Sequence, residues 1–148
     1  MGRLCVPQKK MVPAVVRLLW AYLISLSQIT NANAIFGCTG FWGNNPCLHQ
    51  DAFRYLARTS LGPSERAPIV KAANVVKFGE LLESKCDDTA SLAQVPHLMR
   101  SYLAMGAWVS DHAVVDDLWD TVHIFTAIEI ENIPASRMRV MRNLLSDC

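Results

Sequence analysis

The 148 residues suffice for one domain, with little length left for a second. The formal net charge is +1, but four of the fourteen basic residues and none of the thirteen acids fall in the first 34 positions, so the remainder is mildly acidic. Without a basic stripe to neutralise phosphates, the composition argues against nucleic acid and against an anionic membrane surface as partners.

The first seventeen residues carry Arg3, Lys9, Lys10 and Arg17 and no acid. The apolar run from Leu18 to Ile29 follows, and then the polar Thr30-Asn31-Ala32-Asn33-Ala34. This is the layout of a secretory signal peptide, with Ala32 and Ala34 as the small residues ahead of cleavage at Ile35. The apolar run is shorter than the roughly twenty residues that span a bilayer, so no stable span is expected after cleavage. Pro13 and Arg17 speak against an uncleaved anchor, and bulky Phe36 ahead of Cys38 against a lipoprotein signal. The expected organisation is a signal peptide over 1–34, a Gly/Asn-rich leader loop over 35–47 and a helical domain over 48–148, periplasmic or secreted.

Gly37, Gly40, Gly43, Asn44, Asn45 and Pro46 mark the leader as irregular. Residues 48–59 then place Leu48, Ala52, Tyr55 and Leu56 on one helical face, and Leu61-Gly62-Pro63-Ser64 stops that helix. Ser64 caps a second helix, in which Ile69, Val70, Ala73, Val76, Leu81 and Leu82 keep the period up to Cys86. Thr89 or Ser91 caps a third region, which Pro96 restarts or kinks and Leu98, Tyr102, Leu103 and Met105 continue. Ser110 and Asp111 start a long helix to about Glu131, with Val114, Val115, Leu118, Trp119, Val122 and Phe125 as its apolar face. Pro134 opens a last helix through Met138, Met141, Leu144 and Leu145. No segment alternates strictly and no Asn-Gly or Asp-Gly hairpin signal occurs, so the expected fold is all-α, a small bundle of about five helices.

With Cys5 removed, Cys38, Cys47, Cys86 and Cys148 remain, an even number bound for an oxidising compartment. Two disulfides are expected to staple the bundle. Among the three connectivities, Cys47 to Cys86 with Cys38 to Cys148 is preferred because the second bridge fastens both ends of the domain. Zinc is disfavoured, since no close pair of cysteines has metal-ligand spacing.

Three constellations carry chemistry. On the expected long helix, His112, Asp116, Asp120 and His123 share one face and suit a divalent metal, with His97 as a further ligand. A solvated polar face explains the same pattern. Between Ser101 and Ser136 there are six acids and no Lys or Arg, with Arg137, Arg139 and Arg142 following. Asp116, Asp117 and Asp120 therefore belong to an acidic face that can steer a basic partner, while Phe41 and Trp42 supply aromatic anchors in the leader.

The third constellation is Phe36-Gly37-Cys38-x-Gly40-x-x-Gly43 followed by Cys47-x-His49-x-Asp51, with Tyr55 one turn on. It resembles the calcium loop and active-site helix of secreted phospholipases of the A2 class, with the departure that Gln50 separates His49 from Asp51. The resemblance implies a calcium-dependent hydrolase in which His49 activates water and Asp51 helps to hold calcium. No Gly-x-Ser-x-Gly, His-Glu-x-x-His, phosphate-binding glycine loop or Cys-x-x-Cys occurs, and no cofactor is called for.

The leading expectation is an exported, non-catalytic helical protein that binds another protein through Phe41, Trp42, Asp116, Asp117 and Asp120. An immunity or inhibitor type of protein fits its size, export and helicity. The alternatives are the secreted hydrolase using His49 and Asp51, and a metal-binding protein built on His112, Asp116 and His123.

Overall fold

The structure, a computed structural model, describes residues 13–81 and 88–146. It is mixed α and β, not all-α: a four-stranded antiparallel sheet with helices against one of its faces. The elements run α1 (Pro13–Ile29), β1 (Ala34–Trp42), α2 (Gln50–Thr59), β2 (Val75–Lys77), α3 (Asp88–Gln94), α4 (His97–Leu103), β3 (Trp108–Asp116), β4 (Thr121–Glu129) and α5 (Ala135–Ser146). The spatial order of the strands is β1-β4-β3-β2, which leaves β1 on an edge.

The stretch expected to be one long helix is the β3–β4 hairpin. Thr121-Val122-x-Ile124-x-Thr126-x-Ile128 is dense in β-branched side chains, which are stiff at χ1 and fit a pleated surface better than a helix. The turn between the strands uses no glycine. Asp116 Oδ1 accepts the backbone N–H groups of Leu118 and Trp119, both at 3.1 Å, and Asp120 takes the left-handed conformation at φ +49°, which Asp tolerates. The hairpin therefore carries its own turn chemistry in aspartates.

The segment expected to be an irregular leader is β1, paired with β4 along all nine residues from Ala34↔Glu129 to Trp42↔Thr121. Its glycines sit in an edge strand, where they mark close approaches rather than turns. Burial alternates along it: Thr39 and Phe41 are buried while Phe36, Cys38, Gly40 and Trp42 are exposed.

The second expected helix is also corrected. Ser64 to Ala67 form turns, Pro68 withholds a backbone donor, and Val75–Lys77 pair with β3 as β2. The helices expected near residues 48–59, after Pro96 and after Pro134 are present as α2, α4 and α5.

Two cores lie against the helix-covered face. In the first, Ala52, Phe53, Leu56 and Ala57 of α2 meet Phe78, Met99 and the strand residues Phe41, Val109, Val122 and Ile124. In the second, Trp20, Ala21 and Ile24 of α1 meet Met105, Ala107, Ile128, Ile133 and Met141. Between them the buried hydroxyls of Thr39 and Thr126 pair at 3.2 Å, each satisfying the other where water is scarce.

The second core overturns the signal-peptide expectation. Residues 13–29 form α1, Trp20 is only 2% exposed, its ring meets Tyr102 edge-on at 4.7 Å, and its Nε1 donates to Ser101 Oγ at 3.4 Å. The apolar run is a working layer of the fold, so the leader reading, and the export inferred from it, lose their support. No described helix is long and apolar enough to cross a membrane.

The disulfide expectation is corrected where it can be seen: Cys38 and Cys47 are free and exposed, and no disulfide joins described residues. Cys86 and Cys148, the partners assigned to them, lie outside the described residues.

The exit from α4 is a Schellman turn, with Ala107 N–H on Tyr102 O at 3.1 Å and Gly106 N–H on Leu103 O at 2.9 Å. Gly106 has φ +85°, and a Cβ there would lie 2.9 Å from the Asn132 carbonyl oxygen. Gly106→Ala is expected to cost about 1–3 kcal/mol, read as a lower urea midpoint at unchanged slope.

Candidate functional site

Alternation sorts the strand residues onto two faces. Phe36, Cys38, Gly40 and Trp42 of β1 stand opposite Ala127, Phe125, His123 and Thr121 of β4, on the face turned away from the two cores. A cavity of ≈ 780 Å³ opens there, lined by Phe36, Cys38, Trp42, Asp116, Trp119 and His123 among others. Its lining also includes Ile35, Thr39, Leu98 and Tyr102 from the helix-covered side, so it wraps around β1. Burial pushes the Tyr102 phenol above its usual value, so it stays protonated across neutral pH.

His123 lies at the middle of the open face. Its Nε2 is 2.9 Å from Thr121 Oγ1 and 3.6 Å from Asp116 Oδ2, so one ring nitrogen faces a hydroxyl and a carboxylate. The other faces β1: a Cβ at position 40 would lie 3.3 Å from His123 Nδ1. The absence of a Cβ at Gly40 therefore avoids crowding this edge of the ring, and the His123 side chain as a whole is 34% exposed.

The two ends of the cleft differ in chemistry. At one end Phe36 lines the cleft, backed by Phe125, on which it stacks at 5.8 Å, and through Phe125 by Trp108 at 5.6 Å, so that the apolar wall is Phe36 with two aromatic rings behind it. At the other stand Trp42, Trp119 and Asp116. A side-chain base is thus held between an apolar wall and an acidic, aromatic mouth. Such a site is suited to taking a proton from a polar group brought against an apolar one.

The residues singled out in the sequence fall as follows. Asp116 and His123 are brought together, but His112 is not with them: it is buried and its Nδ1 donates to Asp111 Oδ1 at 2.7 Å. Asp120 and Asp117 are in the turn, where their Oδ1 atoms accept from Asn44 N and Asn44 Nδ2 at 2.9 and 2.8 Å. Among the described residues, no group of three His, Cys, Asp or Glu is placed to hold a metal, which corrects the metal-binding alternative.

The hydrolase alternative is corrected as well. His49 Nε2 donates to the Gly43 carbonyl oxygen at 3.0 Å and its ring packs between Phe41 and Phe53. Asp51 is engaged by Arg54 at 2.7 Å and by Gln94 at 3.3 Å, so neither residue faces a shared water or cation site. Of the aromatic pair, Phe41 is in the first core, whereas Trp42 is 85% exposed. From sequence, Gly40 is expected in a turn-rich, calcium-loop-like leader instead of a strand beside His123, and Thr121 and the stacked aromatic rings are not singled out. The alternation along β1 was the signal that could have found them.

Over 133 residues, 90% of this chain, the sequence is 24% identical to a protein of Brucella abortus (strain 2308) named L-ornithine N(alpha)-acyltransferase, covering 47% of that protein. It is 28% identical over 138 residues to the protein of the same name from Rhizobium meliloti (strain 1021), covering 90% of this chain and 45% of the relative. A third protein of that name, from Rhodobacter capsulatus, is 24% identical over 131 residues, 88% of this chain and 50% of its own. The chain spans about half the length of the curated relatives it matches. No protein-family model and no solved structure matches it.

These relatives are named as enzymes, which overturns the expectation of a non-catalytic protein-binding module. The similarity also leaves only about a tenth of this chain outside it, fewer residues than the 34 read as a leader, so it runs into that segment.

Proposed function

We propose that this chain carries the acceptor side of an acyl transfer to an amine, with L-ornithine as the acceptor. The observation that carries the proposal is similarity along nine-tenths of the chain to proteins named for that reaction. The cleft supports it on chemical grounds, because it joins a base to an apolar wall.

An α-amine is largely protonated near neutral pH and is nucleophilic only after losing a proton. In the proposed arrangement His123 holds its own proton on Nε2, donated to Thr121 Oγ1 beside Asp116, which leaves the Nδ1 lone pair facing the cleft over Gly40. Nδ1 takes the proton from the amine; the nitrogen then attacks the carbonyl carbon of an activated acyl ester or thioester. The amide C–N bond forms as the bond to the carrier breaks; the carrier leaves with its electron pair and is protonated by the histidine, and the second proton shed by the acylated nitrogen passes to solvent. Asp116 stabilises the imidazolium formed in between. The acyl chain lies against Phe36 and the aromatic wall behind it, removing apolar surface from water.

The test is to incubate the purified chain with an acyl thioester and L-ornithine and to look for N-acyl-ornithine by mass spectrometry. Product above the uncatalysed rate supports the reading, and none over a range of acyl lengths overturns it. Gly40→Ala tests the geometry: its Cβ crowds the reacting face of the histidine, and turnover is expected to fall about tenfold with the fold intact.

A further inference from the structure

Trp42 is 85% exposed and Trp119 53% exposed, yet both line the cleft. Two large indoles facing water cost apolar exposure that a ligand would relieve, and here they stand in one place with a carboxylate. The register fixes the arrangement: Trp42 pairs with Thr121, and Thr121 pairs with Asp116. Three neighbouring strands thus put Trp42, Thr121 and Asp116 in one row, with the small threonine in the centre.

Adjacent strands lie about 4.8 Å apart, so the indole and the carboxylate flank a gap of about 10 Å over Thr121. A cation is attracted to an indole face within about 6 Å of the ring centre, which such a gap allows. Asp116 has capacity for it. Its Oδ1 accepts two backbone N–H groups, while its Oδ2 meets His123 Nε2 at a longer 3.6 Å. Asp117 and Asp120 in the adjoining turn add negative potential, and no Lys or Arg occurs between Ser101 and Ser136 to offset it.

We infer that Trp42, Trp119 and Asp116 form a cation subsite that holds the side-chain ammonium of the amine acceptor while its α-amine faces His123. The inference rests on the proposed acceptor chemistry and adds to it the group that selects a diamino acid over its monoamino counterpart. A carboxylate and two indole faces favour a terminal ammonium; an alkyl terminus at the same place brings no positive charge to Asp116 or to the indoles.

The test measures binding without any acyl donor, so it reads separately from turnover. The purified chain is titrated with L-ornithine and with L-norvaline, which lacks only the terminal amine, and followed by tryptophan fluorescence and calorimetry. L-Ornithine is expected to bind at least tenfold more tightly, with the preference lost in Trp42→Ala and largely kept in Trp42→Phe. Trp42 is exposed, so its truncation spares both cores, and circular dichroism checks this. Equal binding of the two amino acids, or an undiminished preference in Trp42→Ala, overturns the subsite. If selective binding is seen without N-acyl-ornithine being formed, the subsite stands and the acyl-transfer reading falls.

Discussion

His123→Ala is expected to lower the rate of N-acyl-ornithine formation by about 10²–10⁴-fold, the range for losing a positioned general base. The loss should fall on kcat, because the residue acts on the proton rather than on the acyl chain, and KM for the acyl donor should move little. The side chain is partly exposed and belongs to neither core, so the melting temperature should hardly change. Asp116→Asn keeps the turn acceptor at Oδ1 but removes the charge beside Nε2, and a smaller loss is expected. Turnover of His123→Ala within threefold of the parent would show that another group takes the proton.

Trp20→Ala is expected to destabilise the fold by roughly 3–5 kcal/mol, measured by urea denaturation of the full chain. The indole is almost wholly buried among α4 and the second core, and its removal leaves a cavity while also ending the bond to Ser101. A segment that merely directs export and is then cut away would give no such effect. The same experiment therefore separates α1 as a structural layer from residues 1–34 as a leader. An unchanged midpoint would restore the leader reading.

The α1 error has a physical origin. A basic stretch, a short apolar run and small residues describe a signal peptide, but they describe equally a core helix whose partners are remote in sequence. The burial of Trp20, Ala21 and Ile24 comes from Met105, Ile128, Ile133 and Met141, more than eighty positions away. Nothing local distinguishes the two cases.

The hairpin error is of another kind. Asp116 and His123 are seven residues apart, which is two helical turns, and the same seven residues folded about a tight turn put both on one face of a sheet. The proximity was readable while its cause was misread. Absence of Asn-Gly or Asp-Gly concealed the turn, because here Asp116 accepts the turn N–H groups and Asp120 takes the left-handed conformation.

The sequence by itself determined those elements whose signals are local: the apolar stripe of α2, the restart at Pro96 and the last helix after Pro134. It also determined the acidity of the β3–β4 region and the cluster of glycines around position 40. Tertiary structure alone decided that β1 and β4 are strands in register, that Phe41 is core while Trp42 faces the cleft, and that Gly40 avoids crowding His123. The reason is that a strand's hydrogen-bond partners lie on another segment, so pairing, and the site built on it, are fixed only when distant parts of the chain meet.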